Sequence, residues 1–463
     1  MTAREHAEVL VIGGGPAGVA AAITLAREGL STIVLEASDY RRQRLGEHIA
    51  PEAEPLLRAL GLCGLLTAAT ASPGIRSLWG SAEEVTRDYL FTPGQGGWNV
   101  ERQFLDRALF HAALEQGARG QMSAPPVLHV RRERGQWRLT TKAAEFTSRA
   151  LVDATGSAAA VARRLGTRVE YADRLVGLAG WMERVSPDWT LLVEAVRNGW
   201  WYSAQMSLSH AVAVLMTDAD LLPHARDRAA MWKDAIGRTT RTRERFASAP
   251  VRAVTLRLAR TARLVPAVGR HWIAVGDAAL ALDPLSGSGV VRALRSGIEG
   301  ANALARSLRG DLRALAEYEE KIGTSYQQAL RARARVYSEE SRWPEELFWR
   351  RRRFARARVF IDPDDVLVRR RGAGIPHHAP AAERSLLEVC GSRPARAHEW
   401  VSRALAHSRA TDEELLHALQ DLVARGSIEL LGPRALGDRL VEAPAFATQR
   451  IVRNAETLAE ESC

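Results

Sequence analysis

Residues 8–38 read EVLVIGGGPAGVAAAITLAREGLSTIVLEAS. A short apolar run is followed by a cluster of glycines, an alanine-rich stretch and a second apolar run that ends in an acid. The runs VLVI and TIVL suit strands buried on both faces, and the stretch between them suits a helix. Strand, helix and strand in that order form a right-handed parallel unit, which commits this part of the chain to a layered α/β fold. Glycines 13, 15 and 18 give the spacing G-x-G-x-x-G. Gly13 permits the tight turn, Gly15 lets the main chain approach a pyrophosphate, and Gly18 lets the helix lie close to the strand. Pro16 and Ala17 share the first turn of that helix, whose N-terminal end attracts an anion. The dipole is worth only about 0.3–1 kcal/mol, so N–H bonds to the phosphate carry most of the attraction. Gly29 is placed to stop the helix. Glu36 closes the second run, where a carboxylate accepts bonds from ribose hydroxyls and repels a 2′-phosphate. Together these features predict a bound dinucleotide.

At 463 residues the chain is long enough for two or three domains with a sizeable core. Its longest apolar runs, such as AGVAAAITLA (17–26), are too short to span a bilayer, and MTAREHAE is not a leader sequence. The expectation is a cytoplasmic protein with no membrane partner. Cys63, Cys390 and Cys463 are far apart and odd in number, which argues against a disulfide framework and against a metal site. The net charge of +10 comes almost wholly from arginine, since Lys142, Lys233 and Lys321 are the only lysines. The densest run, WRRRRFARAR (349–358), is either a helix face paired within the chain or a surface for an acidic partner.

A second glycine-rich segment, GDAALALDPLSGSGV (276–290), follows the strand-like run HWIAV (271–275). Between the two glycine-rich segments stand WNVERQFLDRALFHAALEQGA (98–118) and LVDATGSAA (151–159). In this order the segments resemble the flavin monooxygenases and flavin halogenases that share the fold of para-hydroxybenzoate hydroxylase. The resemblance implies FAD. It puts Asp277 on the ribityl chain, and Pro284, Gly287 and Gly289 beside the isoalloxazine and pyrophosphate. Arg102, in a helix similar to the family's R-x-x-F-D helix, would lie by the flavin. Ala154, Thr155 and Gly156 would approach the adenine side. The chemistry agrees: Asp277 offers an acceptor for sugar-like hydroxyls, and the helix start at Gly287–Gly289 faces the place where negative charge appears on reduction. Asp283 suits a cap for its own turn as well as a ligand. In this family reduced flavin and O2 form a C4a-hydroperoxide. Hydroxylases pass its oxygen to an aromatic ring, and halogenases make hypohalous acid that a lysine captures.

The halogenase lysine follows a segment similar to LGEHIAPEAEPLLRALGL (45–62), yet this chain has no lysine before Lys142. The halogenase pattern W-x-W-x-I-P is absent too, and the Trp-rich stretch is NGWWYSAQ (198–205). A finer resemblance is to flavoproteins that mature quinone cofactors, such as those serving lysine oxidases and quinohaemoprotein amine dehydrogenase. It rests on GEHIAP (46–51), YADRLVGLAG (171–180), TLLVEAVRNGWWYSA (190–204) and YSEESRWPEELFWRRR (337–352). It implies hydroxylation of a tryptophan within a protein substrate, with electrons from NAD(P)H or a separate flavin reductase and O2 as co-substrate. The alternative is a small-molecule indole or phenol hydroxylase, or a halogenase of natural-product biosynthesis. Attack on an indole carbon calls for a group that accepts a proton. Glu47 and His48 are the catalytic candidates. Glu339 and Glu340 are further carboxylates that also suit salt bridges or helix caps. Trp200, Trp201 and Tyr202 either line the pocket or form the core of a substrate sheet.

The fold expected is α/β: a doubly wound FAD-binding domain (1–75, 98–165 and 255–310) with an inserted antiparallel substrate domain as a roof (76–97 and 166–254). Connecting helices follow at 311–368. After a linker, RRRGAGIPHHAPAAE (369–383), a small mainly helical domain at 380–463 takes a winged-helix-like form. Its helices are expected at 384–390, 396–407 and from the capping box Thr411/Glu414 to Gly426, with IELL as a strand. Asp412, Glu413 and Glu414 suit phosphate poorly and argue against nucleic acid. A docking surface for the Trp-containing protein or peptide substrate, or a structural lid, is the role expected of this domain.

Overall fold

The computed structural model describes residues 3–67, 69–89, 96–183, 188–246, 251–311, 313–353, 366–369, 379–389, 394–408, 410–424 and 427–430. The chain forms two compact units, residues 1–169 with 175–353, and residues 170–174 with 354–463. Residues 354–358 of the arginine run, most of the expected linker, the helix stop at Gly426, and Cys390 and Cys463 lie outside the described residues.

The larger unit is built on an eight-stranded sheet. The strand Ala3–Ile12 pairs in parallel with Thr32–Leu35 on one side and Ala144–Asp153 on the other. Thr32–Leu35 also pairs with Arg119–Gln121, and Ala144–Asp153 with Trp272–Ala274, again in parallel. Val9, Leu10 and Val11 are fully buried, as the uninterrupted apolar run requires of a parallel strand covered on both faces. The register pairs Ile12 with Leu35 and with Asp153, and Asp153 with Ala274. The loops that begin at Gly13, Glu36, Ala154 and Val275 therefore leave the sheet along one edge, the carboxyl edge where such folds bind ligands.

The helix Pro16–Arg27 starts at Gly15 and ends at Glu28, followed by Gly29 in the left-handed region. It packs against a second long helix, Gly289–Leu308. That contact is very close: a Cβ on Gly297 would lie 2.3 Å from the Ala17 carbonyl oxygen and 2.8 Å from the Ala20 Cβ.

The roof is a seven-stranded sheet in the order 251–258, 175–182, 211–218, 199–205, 191–196, 74–78, 85–88. All its pairs are antiparallel except 191–196 with 74–78. One face buries Trp181, Trp200 and Val214 together with Tyr337, Phe348 and Trp349, which come from the helices Ala314–Glu339 and Leu347–Arg353. The other face buries Leu178, Trp201 and Leu215 against Trp232 and Phe246 of the helices Arg228–Gly237 and Arg241–Phe246. The sheet is thus covered on both sides, which explains its unbroken apolar strands.

In the smaller unit the strand Val366–Arg369, in a stretch expected to hold connecting helices, pairs antiparallel with Ala395–Arg396 and with Ile428–Leu430. Helices Ala381–Val389, Ala397–His407 and Asp412–Ala424 enclose Leu386, Trp400, Leu415, Leu419 and Leu422. The capping box is made: Glu414 N–H donates to Thr411 Oγ1 at 3.3 Å and Thr411 N–H to Glu414 Oε2 at 2.8 Å. No described helix is long and apolar enough to cross a membrane.

The helix contact at Gly297 leaves no room for a methyl group, so Gly297→Ala should destabilise the larger unit by about 1–3 kcal/mol through overpacking. Thermal unfolding of the two proteins side by side would measure this.

Candidate active site

The glycine loop is shaped by its neighbours at some positions and left open at others. Gly13 has φ +108°, and a Cβ there would lie 2.2 Å from the Ala154 carbonyl oxygen. A Cβ on Gly18 would lie 1.9 Å from the Gly13 oxygen. Beside Gly15 no atom outside its immediate chain neighbours lies within 4 Å of that point, and the same holds at Gly287 and, its own helix apart, at Gly289. No side chain caps the helix Pro16–Arg27 or the helix Gly289–Leu308. Their first-turn N–H groups are thus available to an anion. Pro16 and Ala17 are buried in the first turn of the former helix. Pro284 opens the short turn that leads to Gly287, which is in the left-handed region.

Glu36 lies just beyond the second strand and is buried. Its Oε2 accepts from Gly14 N–H at 2.7 Å, while Oε1 accepts from Ser38 N–H at 2.9 Å and from Arg44 at 3.3 Å. Asp277 is solvent-accessible although protein surrounds it closely. Desolvation raises its pKa, against the lowering pull of Arg292 and Arg102. Asp283 caps its own turn, accepting from Leu285 N–H at 3.0 Å. Asp153 of the D-A-T-G turn is buried and accepts from Thr155, Val161 and Ala162 N–H groups, so it builds the turn that presses on Gly13.

Arg102 begins the helix Arg102–Glu115. It donates to the Leu45 carbonyl at 3.0 Å and to the fully buried Asp106 at 2.9 Å, and Asp106 also pairs with Arg44 at 3.0 Å. Gly46 has φ +97°, and a Cβ there would lie 2.6 Å from Arg102 Nη1. These contacts fix the loop 44–47 that delivers Glu47. Glu47 is 1% exposed. Its Oε2 accepts from Gly46 N–H at 3.0 Å, and Oε1 has no partner of hydrogen-bonding geometry, although the Tyr202 hydroxyl lies beside the carboxyl. Burial pushes its pKa up to about 7, against the lowering effect of the Gly46 N–H and Arg102. Burial, followed by the Glu47 charge, pushes Tyr202 well above its ordinary range.

The other candidates divide between site and scaffold. His48 points to the other side of its short strand. The Asn99 carbonyl oxygen can only accept, so Nδ1 donates to it at 2.9 Å and Nε2 accepts from the Tyr89 hydroxyl at 2.9 Å. Burial lowers its pKa and keeps it neutral, and neither nitrogen is free for substrate. Trp201 is on the far face of the roof with Trp232, and Trp200 is fully buried. Of the three aromatics only Tyr202 adjoins Glu47. Glu340 pairs with Arg342 and accepts from Gly80 N–H at 2.9 Å, and Glu339 is exposed. Sequence reading missed Arg292, whose guanidinium bonds the Leu280 carbonyl and the Ser288 hydroxyl next to Asp277. Its signal was present: it sits one turn beyond Gly289 in a helix start otherwise made of small and apolar residues.

Open space at Gly15, Gly287 and Gly289, two uncapped helix starts, and carboxylates at 36 and 277 fit an extended nucleotide with a pyrophosphate at its middle. The FAD-binding domain family model matches residues 6–333. The chain belongs to this family. It is an FAD-dependent oxidoreductase, with FAD as its cofactor. Over 370 residues it is 29% identical to a protein of Marinomonas mediterranea, LodB, named for FAD-dependent oxidoreductase activity. That match covers 75% of this chain and 97% of LodB. Among solved structures, the flavin-dependent halogenase CmlS aligns with a TM-score of 0.70 at 24% identity, covering 75% of this chain and 68% of its own. QhpG, a peptidyl tryptophan dihydroxylase essential for tryptophylquinone cofactor biogenesis, aligns with a TM-score of 0.64 at 23% identity, covering 91% and 99%. These two alignments show the shared fold.

Three outcomes follow. Gly15→Val should leave the thermal midpoint of the FAD-free protein within a few degrees while weakening FAD binding at least about tenfold, because the side chain enters space the cofactor needs. Gly18→Val should fail to fold. Flavin fluorescence titration and thermal scans separate the two. Glu47 favours its protonated form when folded, so its contribution is fully present below pH 4.5 and is lost as pH rises through about 7. A shift of this size is worth about 3 kcal/mol. Glu47→Gln should flatten that part of the stability profile, read by denaturant titration at pH 5 and pH 8.

Proposed function

We propose that this protein hydroxylates a tryptophan side chain within a protein or peptide substrate, as a step in making a tryptophylquinone cofactor. The observation that carries the reading is Glu47, a buried acid with one unpartnered oxygen in the loop where the resembling halogenases approach their lysine. All three lysines are exposed and stand on other elements: Lys142 in a hairpin turn, Lys233 on a helix of the roof's far face, and Lys321 paired with Glu299 at 2.6 Å. The chain thus offers an acid and no capturing amine at this place. Reduced FAD, when bound, supplies with O2 an electrophilic oxygen atom.

The chain's own residues complete the chemistry. An indole ring attacked at carbon develops positive charge and must lose a proton. Glu47 Oε1 is the acceptor for that proton, or for the indole N–H, and a carboxyl titrating near 7 serves at neutral pH. The Tyr202 hydroxyl lies beside the carboxyl, and its ring packs on Trp200. Arg102 keeps the loop in register through the Leu45 carbonyl. The alignment to QhpG, named as a peptidyl tryptophan dihydroxylase, runs through nearly all of both chains and supports the reading. The smaller unit is assigned the docking of the protein substrate. NAD(P)H, directly or through a flavin reductase, is assigned as electron source.

The test is an intact-mass assay with the flavoprotein, a flavin reductase, NADH, O2 and a Trp-containing peptide chain encoded nearby. The expected result is a gain of one or two oxygen atoms on a tryptophan, reduced roughly 100-fold or more in rate by Glu47→Gln. An unchanged peptide, with turnover of a free indole or phenol instead, would replace this reading with small-molecule hydroxylation. A halogenated product would replace it with halogenation.

A further inference from the structure

Tyr337, near the C-terminal end of the helix Ala314–Glu339, is fully buried. Its hydroxyl accepts from Trp200 Nε1–H at 2.8 Å and donates to Asp283 Oδ2 at 2.9 Å. The other oxygen of Asp283 accepts from Leu285 N–H and so shapes the turn Pro284–Ser286 that leads into Gly287 and Gly289. One phenol therefore joins three elements: the roof strand Gly199–Gln205, the long helix, and the turn that opens the flavin-facing helix. Trp200 and Tyr202 lie on the same face of that strand, and Tyr202 adjoins Glu47.

The ring is held from several sides. Trp79 meets it edge-on at 5.6 Å, Trp349 lies at 5.8 Å, Phe348 at 6.1 Å, and the Arg352 guanidinium at 5.5 Å. Burial, followed by the Asp283 charge, pushes the hydroxyl well above its ordinary pKa, so it remains a donor at every working pH. The bond joins a phenol locked in its rotamer to a buried carboxylate, and charge-assisted bonds of this kind are about twice as strong as neutral ones.

We propose that Tyr337 is a positioning residue that sets the flavin turn against the substrate-facing strand, so that the flavin ring and the Glu47–Tyr202 pair meet at a fixed separation. This inference rests on FAD as the cofactor and is independent of which aromatic compound is oxidised. Loss of the hydroxyl takes one donor from Asp283 and an acceptor from Trp200, and the turn relaxes away from the position that favours the reduced flavin.

The test compares Tyr337→Phe, Asp283→Asn, their double variant and Trp349→Phe. FAD affinity is read by flavin fluorescence on the FAD-free proteins, and the flavin midpoint potential is read by redox titration. Tyr337→Phe should weaken FAD about tenfold, in line with one charge-assisted bond, and lower the potential. The double variant should do little more than either single one, because both abolish the same charge-assisted interaction. Trp349→Phe should lower the thermal midpoint and leave affinity and potential unchanged. If Tyr337→Phe behaves as Trp349→Phe does, or if the two single effects add, Tyr337 is core packing only and the proposal fails. None of these readouts needs a substrate, so they stand apart from the mass assay.

Discussion

The larger unit depends on a seam where main chains touch with no side chain between them. Gly13 lies against the Ala154 carbonyl, Gly18 against Gly13, and Gly297 against the Ala17 carbonyl, each closer than a Cβ allows. These contacts bring together three stretches far apart in sequence: the first turn of the glycine helix, the loop after Asp153, and the helix after Gly289. Cores are packed to crystal density, so a seam of this kind tolerates almost no displacement. Its consequence is chemical. The helix starts at Gly15 and Ser288 are uncapped, and no distant part of the chain crowds Gly15, Gly287 or Gly289. The two helices are fixed relative to each other by main-chain contact rather than by adjustable side chains.

Glu47 works in the opposite sense. A buried carboxyl with one unmet oxygen costs stability, and evolution usually pairs or removes such a group. Here the surroundings enforce it. Arg102 and Asp106 fix the loop that carries it, and the left-handed Gly46 aims it inward. Arg102 lowers its pKa without meeting the carboxyl directly, so the acid stays between fully ionised and fully neutral near pH 7. A direct ion pair would have fixed the charge and removed the capacity to take up a proton. The long-range placement of Arg102 leaves that capacity intact.

Much of this was legible in the sequence because it depended on local patterns. The glycine spacing, the Gly29 stop, the 276–290 segment and the Thr411 capping box each declare themselves within one turn or one strand. What stayed hidden was set by partners distant in the chain. Nothing in NGWWYSAQ says which side of a strand faces the site when the sheet is covered on both faces, because both faces are then apolar. Trp201 fell on the far face and Tyr202 on the near one. His48 follows Glu47 directly, yet strand alternation turns it to Asn99 and Tyr89. Gly297 gave a faint sign, at helical spacing from Gly289 and Ala293, but only the opposing Ala17 carbonyl makes a glycine necessary. Tyr337 gave no sign at all: its role comes from meeting Asp283 and Trp200, which stand 54 and 137 residues away in the chain.

The arginine surplus takes on a different meaning once the ion pairs are in view. Arg352 is almost fully buried on Asp218, and Arg351 joins the same carboxylate at 2.9 Å. Burial alone would raise Asp218, but Arg352 and Arg351 hold it below its ordinary range. Those two members of the run at 349–358 are committed within the molecule, where they brace the aromatic cluster under the roof. Arg44 and Arg102 are likewise bound to Asp106 beside the site. A lysine in these places would face a choice that arginine does not, because a buried ammonium readily gives up its proton and a guanidinium does not. Positive charge that must survive burial, as beside Asp218, has to come from arginine.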